Sequence, residues 1–171
     1  MTVILGNVFL WFSFVLAIFQ LVISYKKNAR YALKVNPVVA MLLLLSTLVS
    51  FLLLTYSHII SDFSILNVFQ NSHSTKPLLY KITGVWGNHE GSMLLWMLVL
   101  TIYNYFISRF YSNSNFIFIT KTLETQALII IGFILFTIFT SNPFERIIPV
   151  PENGLGFNPI LQDPALAIHP P

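Results

Sequence analysis

The chain has 171 residues, of which 56% are hydrophobic and only 9% are charged. A soluble domain usually carries about 25% charged residues, so most of this chain cannot face water. The composition therefore predicts an all-α integral membrane protein. The net charge of +3 comes from a few basic residues between apolar runs, a pattern that excludes a nucleic-acid partner. The absence of cysteine excludes disulfides and thiolate metal sites.

Four apolar runs predict about four transmembrane helices, since a bilayer takes ~20 residues to cross. In chain order they cover approximately residues 3–24, 37–61, 92–108 and 125–141. The first run is interpreted as a retained span and not a signal peptide, because its charges follow it and no small-residue cleavage site appears. Pro37 is expected in the first turn of the second helix, where its missing N–H has no partner to lose.

The basic residues predict the orientation of these spans. The loops after the first and third runs hold six of them: Lys26, Lys27, Arg30, Lys34, Arg109 and Lys121. The other side holds three: Lys76, Lys81 and Arg146. The positive-inside rule places the richer side in the cytoplasm or mitochondrial matrix. Outer loops 62–91 and 142–171 should then face the periplasm or the intermembrane space, in a bacterial or mitochondrial inner membrane.

The stretch "GVWGNHEGSMLLW" (residues 84–96) ends the first outer loop and opens the third run. Asn88 or Ser92 could cap that helix. Glu90 would lie at the helix N-terminus, where the dipole favours a negative charge. These features alone are compatible with a capped helix start, so a functional role stays open at this point.

Two polar side chains lie inside the apolar runs. Asn104 is deep in the third run and should face neighbouring helices. His58, near the end of the second run, is interpreted as an interfacial histidine. If further helices are needed to cover them, Asn104 or His58 would face lipid in this chain alone.

The last segment, residues 142–171, is rich in proline and glycine and ends in "LQDPALAIHPP". Proline biases the residue before it away from helix, so His169 should lie in extended or turn backbone. A neutral histidine there could ligate a metal or haem iron, and an ordinary surface histidine is the alternative.

The stretches "KITGVWGNHEGSMLLW" (81–96) and "GLGFNPILQDPALAIHPP" (154–171) closely resemble two signature segments of the CcmF/NrfE family. This resemblance implies a single membrane domain, residues 1–171, that is the amino-terminal portion of a larger haem lyase. The implied function is cytochrome c maturation at the outer face of the membrane. Implied partners are a haem chaperone, apocytochrome c with its thiol-handling partner, and the remaining portion of a split lyase.

The resemblance also assigns site residues. It makes His169 one of a pair of axial haem ligands. The chain lacks the family's tryptophan-rich segment, so haem should bind only together with the rest of the lyase. Other motif residues match without an implied chemistry: Trp86, Gly87, Asn88, His89, Glu90, Gly91, Ser92, Gln162, Asp163 and Pro164. His89 and Glu90 could shuttle protons or orient a propionate, or they could only fix the outer loop.

Two other interpretations of the chain remain open. Whether this chain alone is an enzyme is also open. The chain could be an inactive fragment of a split or decayed lyase gene, which an intact downstream reading frame would argue against. It could also be a small channel or transporter subunit, which flux measurements in liposomes would test. Transport paths usually place ionisable groups inside spans, and the first, third and fourth runs contain none.

Overall fold

The computed structural model describes residues 1–25, 29–109 and 116–156, together with Ala165. Within these residues the helices are α1 (Thr2–Tyr25), α2 (Ala29–Ile59), α3 (Leu66–Asn71), α4 (Leu78–Thr83), α5 (His89–Arg109) and α6 (Phe116–Thr140). Helices α1, α2, α5 and α6 are long and apolar enough to cross a membrane. The prediction of an all-α membrane protein with about four transmembrane helices is therefore confirmed.

The four long helices form a closed ring, in which α1 and α5 each pack against both α2 and α6. Successive long helices run in opposite directions, so the start of α1 lies beside the end of α6, where Asn142 donates to Asn7 at 3.0 Å. Large apolar side chains fill the interior and are fully buried, among them Leu10, Leu43, Leu94, Met97 and Ile130. Other apolar side chains are exposed on the outside, as expected for contact with lipid: Val15, Leu52, Tyr103, Phe118 and Phe139.

Polar side chains tie the long helices together inside this ring. Gln20 and Asn104 exchange two amide hydrogen bonds of 3.0 and 2.8 Å between α1 and α5. Thr47 and Thr101 join α2 to α5 at 2.9 Å. Asn104 thus faces a neighbouring helix, as predicted. The expectation that Asn104 or His58 would face lipid in this chain alone is wrong, because both are 0% exposed and find partners within the bundle.

Helices α2 and α6 begin earlier than the predicted spans. Helix α2 starts at Ala29, so Pro37 lies inside the helix and not in its first turn. Helix α6 starts at Phe116, nine residues before the predicted boundary at 125. Two charged residues lie in this added part of the helix, Lys121 and Glu124, and they form a 2.7 Å salt bridge one turn apart on its surface.

The predicted outer loop 62–91 contains the two short helices α3 and α4, and α5 already begins at His89. These helices cover the end of the bundle at which α2 ends and α5 begins. The segment that follows α6 lies against them. We call residues 60–88 and 141–156 the cap, and the end of the bundle beneath them the capped end.

Candidate functional site

The two halves of the cap are joined by main-chain hydrogen bonds. Ile65 and Arg146 form an antiparallel bridge, in which Leu66 N–H donates to the Glu145 carbonyl at 2.8 Å. Farther along, Leu155 N–H donates to the Phe69 carbonyl at 2.8 Å. Residues 145–156 therefore run as a strap across the segment that leads into and out of α3.

Asn153 and Gly154 secure the far end of the strap. The Asn153 side chain accepts from Ser74 N–H at 3.1 Å and donates to the Ser74 hydroxyl at 2.9 Å. A Cβ on Gly154 would lie 2.0 Å from the Ser72 carbonyl oxygen. Glycine therefore permits the close approach of strap and loop at this point.

The motif Trp86–Ser92 forms the turn from the cap into α5. Asn88 caps the helix: its Oδ1 accepts from Gly91 N–H at 2.8 Å. This settles the choice left open by the sequence, because the Ser92 hydroxyl instead donates back to the Asn88 carbonyl at 2.7 Å. Gly87 N–H donates to the Thr83 carbonyl at 3.1 Å, and Trp86 packs half-buried against the apolar core.

His89 and Glu90 point to different parts of the molecule. The exposed His89 ring lies against α6, where its Nε2 is 2.9 Å from the Ser141 hydroxyl and Phe136 packs edge-on. Glu90 turns into the cap and accepts from the Asn67 amide at 3.1 Å. Because the two side chains do not meet, the structure does not arrange them as an acid–base pair.

Glu90 belongs to a buried polar network that reaches His58. The Asn67 amide nitrogen donates to Asn88 Oδ1 at 2.6 Å as well as to Glu90. Asn67 Oδ1 lies 2.9 Å from His58 Nε2. Asn67, at 3% exposure, thus connects the end of α2 with the first turn of α5.

The backbone fixes the proton positions in this network. Asn88 Nδ2 faces the carbonyls of Gly84 and Val85 at 2.8 and 3.2 Å, so its Oδ1 must face Asn67. Asn67 then presents its NH₂ group to Asn88 and its oxygen to His58. Since an amide oxygen only accepts, His58 Nε2 carries a proton, and in the neutral ring Nδ1 then carries the lone pair. That Nδ1 is buried and has no hydrogen-bond partner within the described residues.

The cap contains a lysine, Lys76, whose pKa is displaced from its ordinary value. Its Nζ donates to the Asn71 carbonyl at 3.0 Å. Burial, and to a smaller extent the charge of Lys81, lowers the pKa of the Lys76 amine from 10.5 to about 8. The cap therefore carries an amine that is substantially neutral at mildly alkaline pH.

The lowered pKa of Lys76 predicts a specific pH dependence. The unfolded chain binds more protons than the folded one between pH 8 and 10.5, so stability should rise with pH across that window. Competitive acetylation followed by mass spectrometry should give a midpoint near 8 for Lys76. Lys76→Met should abolish the rise in stability, whereas Lys121→Met, at the other end of the bundle, should retain it. A rise that persists in Lys76→Met would refute this origin.

Residues 86–171, half of the chain, match the family model of the cytochrome C assembly protein. The chain belongs to this family. Its match begins at Trp86, the first residue of the turn that the cap holds against α5.

Individual relatives agree with this assignment. The cytochrome c-type biogenesis protein CycK of Rhizobium meliloti is 52% identical over 122 residues, 71% of this chain and 18% of its own length. The cytochrome c-type biogenesis protein CcmF of Haemophilus influenzae is 37% identical over 160 residues, 93% of this chain and 24% of its own length. The chain thus spans about a fifth of the length of these relatives.

A solved structure of the cytochrome c heme lyase CcmF has the same fold. It superimposes with a TM-score of 0.78 at 24% identity, over 85% of this chain and 25% of that structure's chain. This likeness places the helical bundle in the CcmF fold.

The family motif residues divide into those that the structure describes and those that it does not. Trp86 to Ser92 lie together in the described turn. Gln162, Asp163, Pro164 and His169 lie outside the described residues. Asn67 was missed from the sequence, because an isolated asparagine in "ILNVF" has no motif signal, and His58 was interpreted only as interfacial.

Proposed function

We propose that the chain is the amino-terminal portion of a haem lyase and handles haem at its capped end during cytochrome c maturation. The observation that supports this best is the strap, residues 145–156. Its hydrogen bonds to residues 64–74 bring the start of the segment leading to His169 to the same end as the motif turn 86–92. The motif turn 86–92 and the described start of the second resembling segment, residues 154–156, therefore lie at the same end of the bundle.

Haem is the proposed cofactor, with His169 as an axial ligand. Within the described ranges, no three His, Cys, Asp or Glu side chains group as a metal site. Two of the described histidine rings are instead held by neutral partners, His58 by Asn67 and His73 by Thr75. The described part thus fits a supporting platform, and the haem site would be completed with the remaining portion of the lyase.

The proposed orientation places the capped end in the periplasm or intermembrane space. Lys34, Arg109 and Lys121 lie at the opposite end of the bundle, where the positive-inside rule favours the cytoplasm or matrix. The capped end would then meet a haem chaperone and apocytochrome c with its thiol-handling partner.

We expect His169→Ala to reduce holocytochrome c to background when the chain is expressed with the remaining lyase in cells that lack their own lyase. Loss of an axial ligand removes one of the coordination bonds that would hold the haem iron. Haem staining of c-type cytochromes and the absorption spectrum of the purified complex give the two measurements.

His73→Ala is the matched control, since the His73 ring is partly exposed on the cap and, among the described residues, bonds to Thr75 two positions along the chain. It should support maturation at the unaltered level. Full maturation by His169→Ala would refute the proposed ligand. Failure of the unaltered chain to support any maturation, with the rest of the lyase present, would identify it as an inactive fragment.

A further inference from the structure

A groove between α5 and α6 opens on the outside of the bundle next to the cap. Its volume is about 510 Å³. His89 lies at its capped end and Gly132 on its α6 wall. The rest of the lining is apolar: Met93, Leu128, Ile129, Phe133 and Phe136. Leu128 and Ile129 are 54% and 43% exposed, so none of the residues that the structure describes covers them.

Gly132 has no packing role among the described residues. A Cβ built on it meets no atom within 4 Å, whereas a Cβ on Gly6 would overlap the Phe144 ring. Glycine is less favourable than alanine inside a helix, so its presence in α6 needs another reason. Small residues on a membrane helix let the backbone of a second helix approach closely.

His89 supplies the groove with one polar group. Its Nε2 is engaged by Ser141, and Nδ1 makes no hydrogen bond within the described residues. A lipid acyl chain offers no hydrogen bond to an exposed imidazole, whereas a neighbouring helix does. The groove therefore fits a helix that is apolar along most of its contact face and carries one hydrogen-bonding side chain at the capped end.

We propose that this groove is the docking site for a transmembrane helix from the remaining portion of the lyase. The inference rests on the proposed place of the chain in a larger lyase. The chain spans 24% of the Haemophilus influenzae relative and 25% of the solved CcmF chain, so most of a family member must pack around or beside this bundle. The docked helix presents an apolar face to Leu128 and Phe136 and a hydrogen-bonding side chain to His89.

Single-cysteine crosslinking tests this assignment directly, because the chain has no cysteine of its own. Gly132→Cys is labelled in membranes with a thiol-reactive benzophenone, in the presence of the complete lyase, and photolysed. Mass spectrometry then identifies the attached peptide. The control is Leu45→Cys, on α2 and 47% exposed on the outside of the bundle.

We expect Gly132→Cys to capture a transmembrane peptide of the remaining lyase with a several-fold higher yield than Leu45→Cys. Gly132→Phe, which fills the groove, should lower co-purification of that portion several-fold. Crosslinks to lipid alone, to a second copy of this chain, or with equal yield at both positions would each overturn the proposal. The crosslink reports helix docking and does not depend on haem chemistry. A chain that forms the crosslink but supports no maturation would therefore contradict the proposed function and leave the docking site in place.

Discussion

Gly91→Ala should destabilise the folded chain by about 3 kcal/mol or more, since it combines overpacking with loss of a helix cap. An added Cβ would lie 1.6 Å from the Val85 carbonyl oxygen and 2.8 Å from its carbon. Both are backbone atoms of the turn that leads into α5, so no side-chain rotation relieves the overlap. Moving the turn would also displace Asn88, whose Oδ1 accepts from Gly91 N–H.

The free energy of unfolding can be measured by titration with SDS in mixed micelles. Gly132→Ala is the matched control, because the same methyl group meets nothing within 4 Å on α6. In the chain by itself it should be neutral or stabilising by up to ~1 kcal/mol, from helix propensity. Equal destabilisation by the two substitutions would show that the turn yields more easily than its geometry indicates.

Asn67→Leu should also lower the free energy of unfolding by about 3 kcal/mol, because each buried polar group left without a partner costs roughly 1–3 kcal/mol. The substitution removes the acceptor of the His58 Nε2 proton and the donor to Asn88 and Glu90. His58 and Asn67 are 0% and 3% exposed, so water does not readily replace the lost amide.

Gln70→Leu is the control for Asn67→Leu. Gln70 lies on the same short helix α3 and is exposed, so its replacement removes no buried contact. SDS titration should show little change for Gln70→Leu, and protease digestion should cleave the cap faster only in Asn67→Leu. If both variants unfold at the same SDS concentration, the network does not contribute to stability.

The sequence predicts the number and class of the long helices well, because an uncharged run of bilayer length has few other stable structures. Helix ends are less predictable. Pro37 was expected to begin α2, but the helix continues eight residues before it. The predicted span that begins at residue 125 leaves Lys121 in a loop, yet Lys121 lies on the exposed first part of α6.

Residue pairing in the candidate site could be predicted only in part. The capping residue Asn88 and the placement of Glu90 in the first turn follow from local helix rules. The separation of His89 from Glu90 does not, because it depends on where α6 and α3 pack around the turn. The partnership of His58 with Asn67 likewise depends on the tertiary fold, and neither residue belongs to a recognisable motif.

The strap has a consequence for the order of events during synthesis. The His58–Asn67–Asn88 contacts lie within one continuous stretch of chain and can form as soon as α5 has entered the membrane. Ser74 must wait for Asn153, 79 residues later, and therefore for the insertion of α6. Until then the loop around α3 exposes unpaired main-chain groups at the membrane surface, and a chaperone or protease that acts on this protein would find its target there.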